Sequence, residues 1–125
     1  MRLAQGWQAE LEEGCVCVTH PEGFGVLLIS HAERARNPVA REELHQLASA
    51  ELPGAADVGD CRMGDFEGLH ATYVEDGERW HRFYLCFGTV LLLVTYTVEL
   101  AHDGVEDDAV IGMLRSLRGR GNRWE

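Results

Sequence analysis

Residues 83–98 form a run of 16 residues without a charged side chain, and Gly88 falls near its middle. A helix needs about 20 apolar residues to cross a bilayer, so this run is too short and too interrupted to be one. Its Val, Thr, Tyr and Phe content suits extended backbone, where branched and aromatic side chains pack well on a pleated surface. The run therefore predicts two buried strands, 79–87 and 89–100, joined by a tight turn. The second is the most apolar segment of the chain and belongs at the centre of a sheet. A chain with such a centre must supply neighbouring strands on both sides and helices to cover the faces.

The neighbours are legible. Residues 6–11 read as a short first strand, with Glu12, Glu13 and Gly14 as a turn. Cys15, Val16, Cys17, Val18 and Thr19 read as a second strand, ended by Pro21 and Gly23, and 24–30 as a third. Residues 57–63 suit a polar edge strand. Gly64, Asp65, Phe66, Glu67 and Gly68 resemble a turn, 69–75 a further strand, and Asp76-Gly77 is a strong hairpin signal.

Two helices are marked. The first is predicted over 37–52, with Asn37 as cap, Pro38 in the first helical position and Leu44, Leu47 and Ala48 as its apolar stripe. The second is predicted over 104–118, capped by Asp103, with Val110, Met113, Leu114 and Leu117 spaced i, i+3, i+4, i+7. Residues 119–125 read as a loose tail. These elements give one α+β domain over 1–118, with a mostly antiparallel sheet of six or seven strands flanked by two helices. A sheet face left uncovered would suggest a homodimer, because a broad apolar surface rarely stays wet.

Several stretches carry a resemblance: Pro21-Glu22-Gly23-Phe24-Gly25-Val26, Gly64-Asp65-Phe66-Glu67-Gly68, 80–84, 91–96, and the closing Ile111-Gly112-Met113-Leu114-Arg115-Ser116-Leu117. Together they resemble the α/β fold group of the photosystem II extrinsic subunit P, a Ran-binding import factor and bacterial secretion-chaperone domains. The resemblance covers roughly 14–118 and implies action by binding proteins. It carries no catalytic motif onto this sequence.

Charge narrows the partners. With 21 acidic against 11 basic residues the net charge is −10. Nucleic acids and anionic membranes call for clustered cations, so neither is expected as a partner. The N-terminal residues show no apolar signal core, and four cysteines without one read as reduced thiols in a bacterial-type cytoplasm.

The candidate chemistry is thin. Cys15, Cys17 and His20 cluster soft ligands, but without a C-x-x-C pair the alternation with valines reads as a half-buried strand, and no metal is assigned. Cys86 beside His81 or His102 would be an activated thiol, yet Cys86 sits among Phe83, Tyr84, Leu85 and Phe87 and reads as core. Six histidines are scattered without metalloprotease spacing. No catalytic residue and no cofactor is assigned.

Surface character remains. Glu75, Asp76 and Glu78 cluster at a hairpin tip, and Glu12 and Glu13 at another turn, as acidic loops that would steer a basic partner. Trp80 and Tyr84 share one side of their strand as candidate anchors. The sequence thus predicts a non-enzymatic acidic binding module, foremost an immunity-type inhibitor of a basic toxin. A secretion or assembly chaperone for an effector is the alternative, and a small-ligand protein or enzyme with an unrecognised pocket stands as a further one.

Overall fold

The computed structural model describes residues 1–121 and 123–125. Seven strands form one antiparallel sheet: β1 (Gln8–Glu12), β2 (Cys15–Thr19), β3 (Val26–Glu33), β4 (Asp57–Met63), β5 (Phe66–Glu75), β6 (Glu78–Phe87) and β7 (Val90–Glu99). The spatial order is β1-β2-β3-β7-β6-β5-β4. The most apolar strand, β7, is the fourth of the seven, as its composition requires. Helices α1 (Arg41–Glu51) and α2 (Asp107–Arg115) flank the sheet. The chain is a single α+β domain, and none of its described helices is long and apolar enough to cross a membrane.

The hairpin signals place the strands. Asp76 and Gly77 have φ of 53° and 77°, the pair of left-handed residues that matches the twist of a two-residue hairpin turn. That turn sets Thr72 opposite His81 and Tyr73 opposite Trp80. The expected turn at 64–68 is shorter: Gly64 and Asp65 alone make it, and β5 begins at Phe66. Gly64 has φ 63°, and a Cβ there would collide with the Leu117 carbonyl oxygen. The turn therefore closes directly on the chain leaving α2.

Both helix starts differ from expectation. Asn37 does not cap α1; its φ is 64°, and the helix begins only at Arg41 after an extended Ala40. Glu43 then reaches back to accept the Ala40 N–H at 3.3 Å, the N3 half of a capping box, while Ala40 has no side-chain oxygen to supply the other half. Asp103 does not cap α2 either. Leu100–His102 form a short 3-10 turn, and Glu106 precedes the helix. The tail is also not loose. Strands β8 (Gly119–Arg120) and β9 (Arg123–Trp124) pair, Arg118 and Glu125 exchange backbone hydrogen bonds of 2.8 Å, and Trp124 packs on the core.

Alternation along the strands divides the sheet into two faces. Under α2 lies the main core, including Phe66, Phe83, Leu85, Leu92, Val94, Tyr96, Met113, Leu114 and Leu117. On the opposite face, α1 rests on β5 and β6 and buries a smaller cluster of Leu44, Ala48, Leu69 and Tyr84. Strand β7 shows the contrast within itself. Val90, Leu92, Val94, Tyr96 and Val98 are each 1% exposed or less, whereas Leu91, Leu93, Thr95 and Thr97 on the α1 side are only half-buried.

Candidate functional site

The half of the α1-side face that α1 leaves bare has a defined make-up. Register and alternation put Cys15, Cys17 and Thr19 of β2, Val26, Leu28 and Ser30 of β3, and Leu93, Thr95 and Thr97 of β7 on it. Trp80 and Arg82 of β6 join them at the side nearer α1. Between β2 and the last turn of α1 the surface dips into a depression of about 190 Å³ lined by Cys15, Leu28, Ser30, Leu93, Thr95 and Arg82. Carboxylates stand around this floor: Glu10 and Glu12 on β1, Glu51 at the end of α1, and Glu75 and Glu99 at the strand ends. Arg82, the cation of this floor, is 3.6 Å from Glu51 and so is partly neutralised.

Trp80 and Tyr84 do share this side of β6, but they do different things. Tyr84 is 2% exposed and lies beneath α1 against Leu44, Ala48 and Leu69, so it is core and not an anchor. Trp80 is half-buried at the margin of the bare half, and its ring lies parallel to Tyr73 at 5.9 Å. Its Nε1 is buried and has no hydrogen-bond partner among the described residues. Burial pushes the Tyr84 hydroxyl above the usual phenol range, with the neighbouring Arg82 guanidinium opposing the rise.

The acidic loops are not one surface. The turn carrying Glu12 and Glu13 lies at the opposite end of the sheet from the tip carrying Glu75, Asp76 and Glu78, because β1 and β5 run in opposite directions. What unites them is the bare half between, with Glu12 and Glu75 at its two ends. Glu13 and Asp76 are exposed turn residues away from the floor.

The thiol candidates separate just as clearly. Cys15 and Cys17 project to the α1 side, and the Cys15 thiol is 4.0 Å from Glu12 Oε2. His20 instead turns to Trp7, edge to face at 6.0 Å, and its Nδ1 accepts the Glu22 N–H at 3.0 Å. Among the described residues no three His, Cys, Asp or Glu side chains are placed to hold a metal ion. Cys86 and His81 lie on opposite faces of β6, and His102 stacks on Phe24 at 3.8 Å. Burial raises the Cys86 and Cys61 thiols, the latter to about 11, so neither is a ready thiolate.

Sequence reasoning missed a grouping on the other face. His70 of β5 and His81 of β6 meet under the start of α2, His70 Nε2 to His81 Nδ1 at 2.9 Å. The signal was present in the hairpin: once Asp76-Gly77 fixes Thr72 opposite His81, His70 is one diagonal step away on the same face. Burial holds both imidazoles neutral and pushes His70 down to about 4, with His81 adding to the fall and Asp107 opposing it. Beside them Tyr96 donates to Glu106 Oε1 at 2.6 Å, and Glu106 also accepts the N–H groups of Phe24 and Gly25 at 3.2 and 2.8 Å. Burial and this hydrogen bond hold the Tyr96 phenol far above its ordinary range.

No protein-family model matches the chain, and no curated protein matches it. A crystal structure from Bacteroides thetaiotaomicron at 1.50 Å resolution is similar, with a TM-score of 0.71 and 17% sequence identity. The similarity covers 97% of this chain and 44% of that one, so the chain spans less than half the length of its structural neighbour. At that identity the likeness speaks for the fold alone.

Proposed function

We propose that this protein is a non-enzymatic binding module that captures a basic amphipathic helix of another protein on the bare half of its sheet. The role that best fits its charge is inhibition of a basic toxin, in the manner of an immunity protein. The observation that carries this reading is the half-covered face itself. An apolar floor of Leu28, Leu93 and Trp80 lies open beside α1, and Glu10, Glu12, Glu51, Glu75 and Glu99 surround it. Strands are about 4.8 Å apart and a helix is about 10 Å across, so the span from β2 to β7 has room for one more helix alongside α1. Carboxylates around an apolar floor favour Lys and Arg flanking the apolar stripe of such a helix, and the overall charge of −10 speeds its approach. The apolar floor also supports the second reading, a secretion or assembly chaperone, in which capture depends on the floor alone.

The test is an amide NMR titration with an amphipathic Leu/Lys helical peptide and its Leu/Glu counterpart of equal length. The Lys peptide is expected to shift Leu28, Leu93, Thr95 and Thr97 saturably and to bind at least about tenfold more weakly on going from about 0.05 to about 0.5 M salt. The Glu peptide is expected not to bind. Equal binding of both peptides favours the chaperone reading. Shifts confined to the α2 side, or none with either peptide, overturn both.

A further inference from the structure

We propose that the outer margin of β4 binds an extended segment of another protein as an eighth strand of the sheet, recognising an apolar residue next to a Lys or Arg. This margin lies on the far side of α1 from the proposed docking surface and does not depend on that reading.

β4 stands last in the strand order, so β5 pairs with one of its margins and no described strand with the other. Alternate N–H and C=O groups along it therefore point away from the sheet. Among the described residues, no main-chain group of 57–62 bonds to main chain outside the sheet. A row of outward donors and acceptors is matched best by another extended chain, which fixes the occupant as a strand. The approach is open. Asp57, Val58, Gly59 and Asp60 are exposed, and a Cβ built on Gly59 would meet nothing within 4 Å.

Beside this margin the surface holds a place for a side chain. A groove of about 350 Å³ runs between the flank of α1, at His45, Ala48, Ser49 and Leu52, and Val58 and Leu69 of the sheet. Alternation sets Val58 and Asp60 on the α1 side of β4, and Asp57 and Gly59 on the other. A residue of the added strand opposite Val58 therefore rises on the α1 side, one strand spacing of about 4.8 Å further out. A Leu or Met there reaches the groove and covers Val58, which is 50% exposed without it.

The next residue of the added strand faces Asp57 on the opposite side. Of the three charged residues of β4, Asp60 is ion-paired with Arg41, and Arg62 with Glu67 at 3.0 Å. Asp57 has no ion-pair partner among the described residues. A Lys or Arg across from it is attracted, and an acidic residue is repelled. The net charge of −10 adds long-range attraction for a basic segment.

The probe is a blocked Thr/Ser peptide with Lys-Leu-Lys at its centre, which serves a parallel or an antiparallel strand alike. It is expected to shift the amides of 57–61 and Ser49 saturably. At saturation it is expected to slow hydrogen exchange of alternate amides of β4 at least about tenfold. A copy with Glu-Leu-Glu is expected to bind about threefold more weakly, and a copy with an N-methylated main chain not at all. Asp57→Lys is expected to reverse the preference between the Lys and Glu peptides. Ser49→Trp, from an exposed position on the helix flank, is expected to fill the groove and weaken binding at least about tenfold. Shifts without added exchange protection overturn the proposal, as do shifts confined to β1 or to the bare half of the sheet, or none. Undiminished binding of the N-methylated copy, or by a folded Ser49→Trp variant, overturns it as well. So does an unchanged Lys preference in Asp57→Lys. Protection of β4 that rises with protein concentration before any peptide is added would place a second copy of this chain on the margin instead.

Discussion

The two faces of the sheet are built from the same strands and yet are finished differently. On the α2 side every second residue of β7 is sealed in the main core with Val110, Met113, Leu114 and Leu117. On the α1 side a helix of 11 residues rests on β5 and β6, and its cluster reaches no further than Leu91 and Leu93 of β7 among the partly buried residues packed on it. The difference teaches where this chain places its stability and where it leaves surface open. Phe66, Phe83, Leu92 and Leu114 consolidate one face, and the alternate positions Leu28, Leu93 and Thr95 are left half-wet on the other.

Truncation is the sharpest way to break that contrast. Phe66→Ala on the sealed face is expected to cost about 3–5 kcal/mol in urea unfolding. Leu93→Ala, at a half-buried position at the centre of the sheet, is expected to cost less, about 1–2 kcal/mol. Comparable losses at both sites would mean that the α1-side face is closed after all.

The latch at Glu106 comes next. Tyr96→Phe leaves a buried carboxylate oxygen with the Gly25 N–H alone, and is expected to lower stability by about 1–3 kcal/mol. A loss as small as that of a surface substitution would show that the β2–β3 loop is held by packing, chiefly the Phe24–His102 stack.

Acid should weaken the sealed face first. His70 is lowered in the folded state to about 4 from an ordinary value near 6.5, so between these values the unfolded chain binds more protons than the folded one. Stability is therefore full above about pH 6.5 and falls as pH drops toward 4. The expected loss is about 1–2 kcal/mol once partial exposure of the imidazole is allowed for. His70→Phe should flatten this part of the stability–pH curve, measured by urea midpoints at matched pH.

The smallest effect belongs to the rim. Glu12→Gln with Glu75→Gln is expected to change unfolding free energy by less than about 0.5 kcal/mol. The same pair should slow association with a Leu/Lys peptide at low salt and leave dissociation nearly unchanged. A change confined to the dissociation rate would move these carboxylates from steering into direct contact.

Much of the fold was legible because it depends on local chemistry. Asp76-Gly77 encodes a turn whose two residues both need positive φ, and the uncharged run that contains most of β7 encodes the centre of a sheet. The helix starts were not legible, for a physical reason. Asn37-Pro38 and Asp103 have the residue types of caps, yet long-range contacts decide the matter. Val39 N–H bonds to the Gly88 carbonyl at 2.8 Å, and Glu106 is drawn inward to Phe24, Gly25 and Tyr96. Tyr84 was misplaced as an anchor because a strand pattern tells which side chains share a face, not how far a helix reaches across it. The histidine pair was within reach of hairpin register but looked like two scattered residues in a linear reading.

The outer margin of β1 has a consequence for how these molecules meet one another. Glu10 and Glu12 alternate with Ala9 and Leu11 along five residues whose free main-chain groups would accept another strand. A second β1 laid antiparallel there would bring carboxylate rows together, so two such margins repel where uncharged ones would zip. Edge-to-edge pairing of two β1 strands is thereby disfavoured, even with Leu11 standing 87% in solvent.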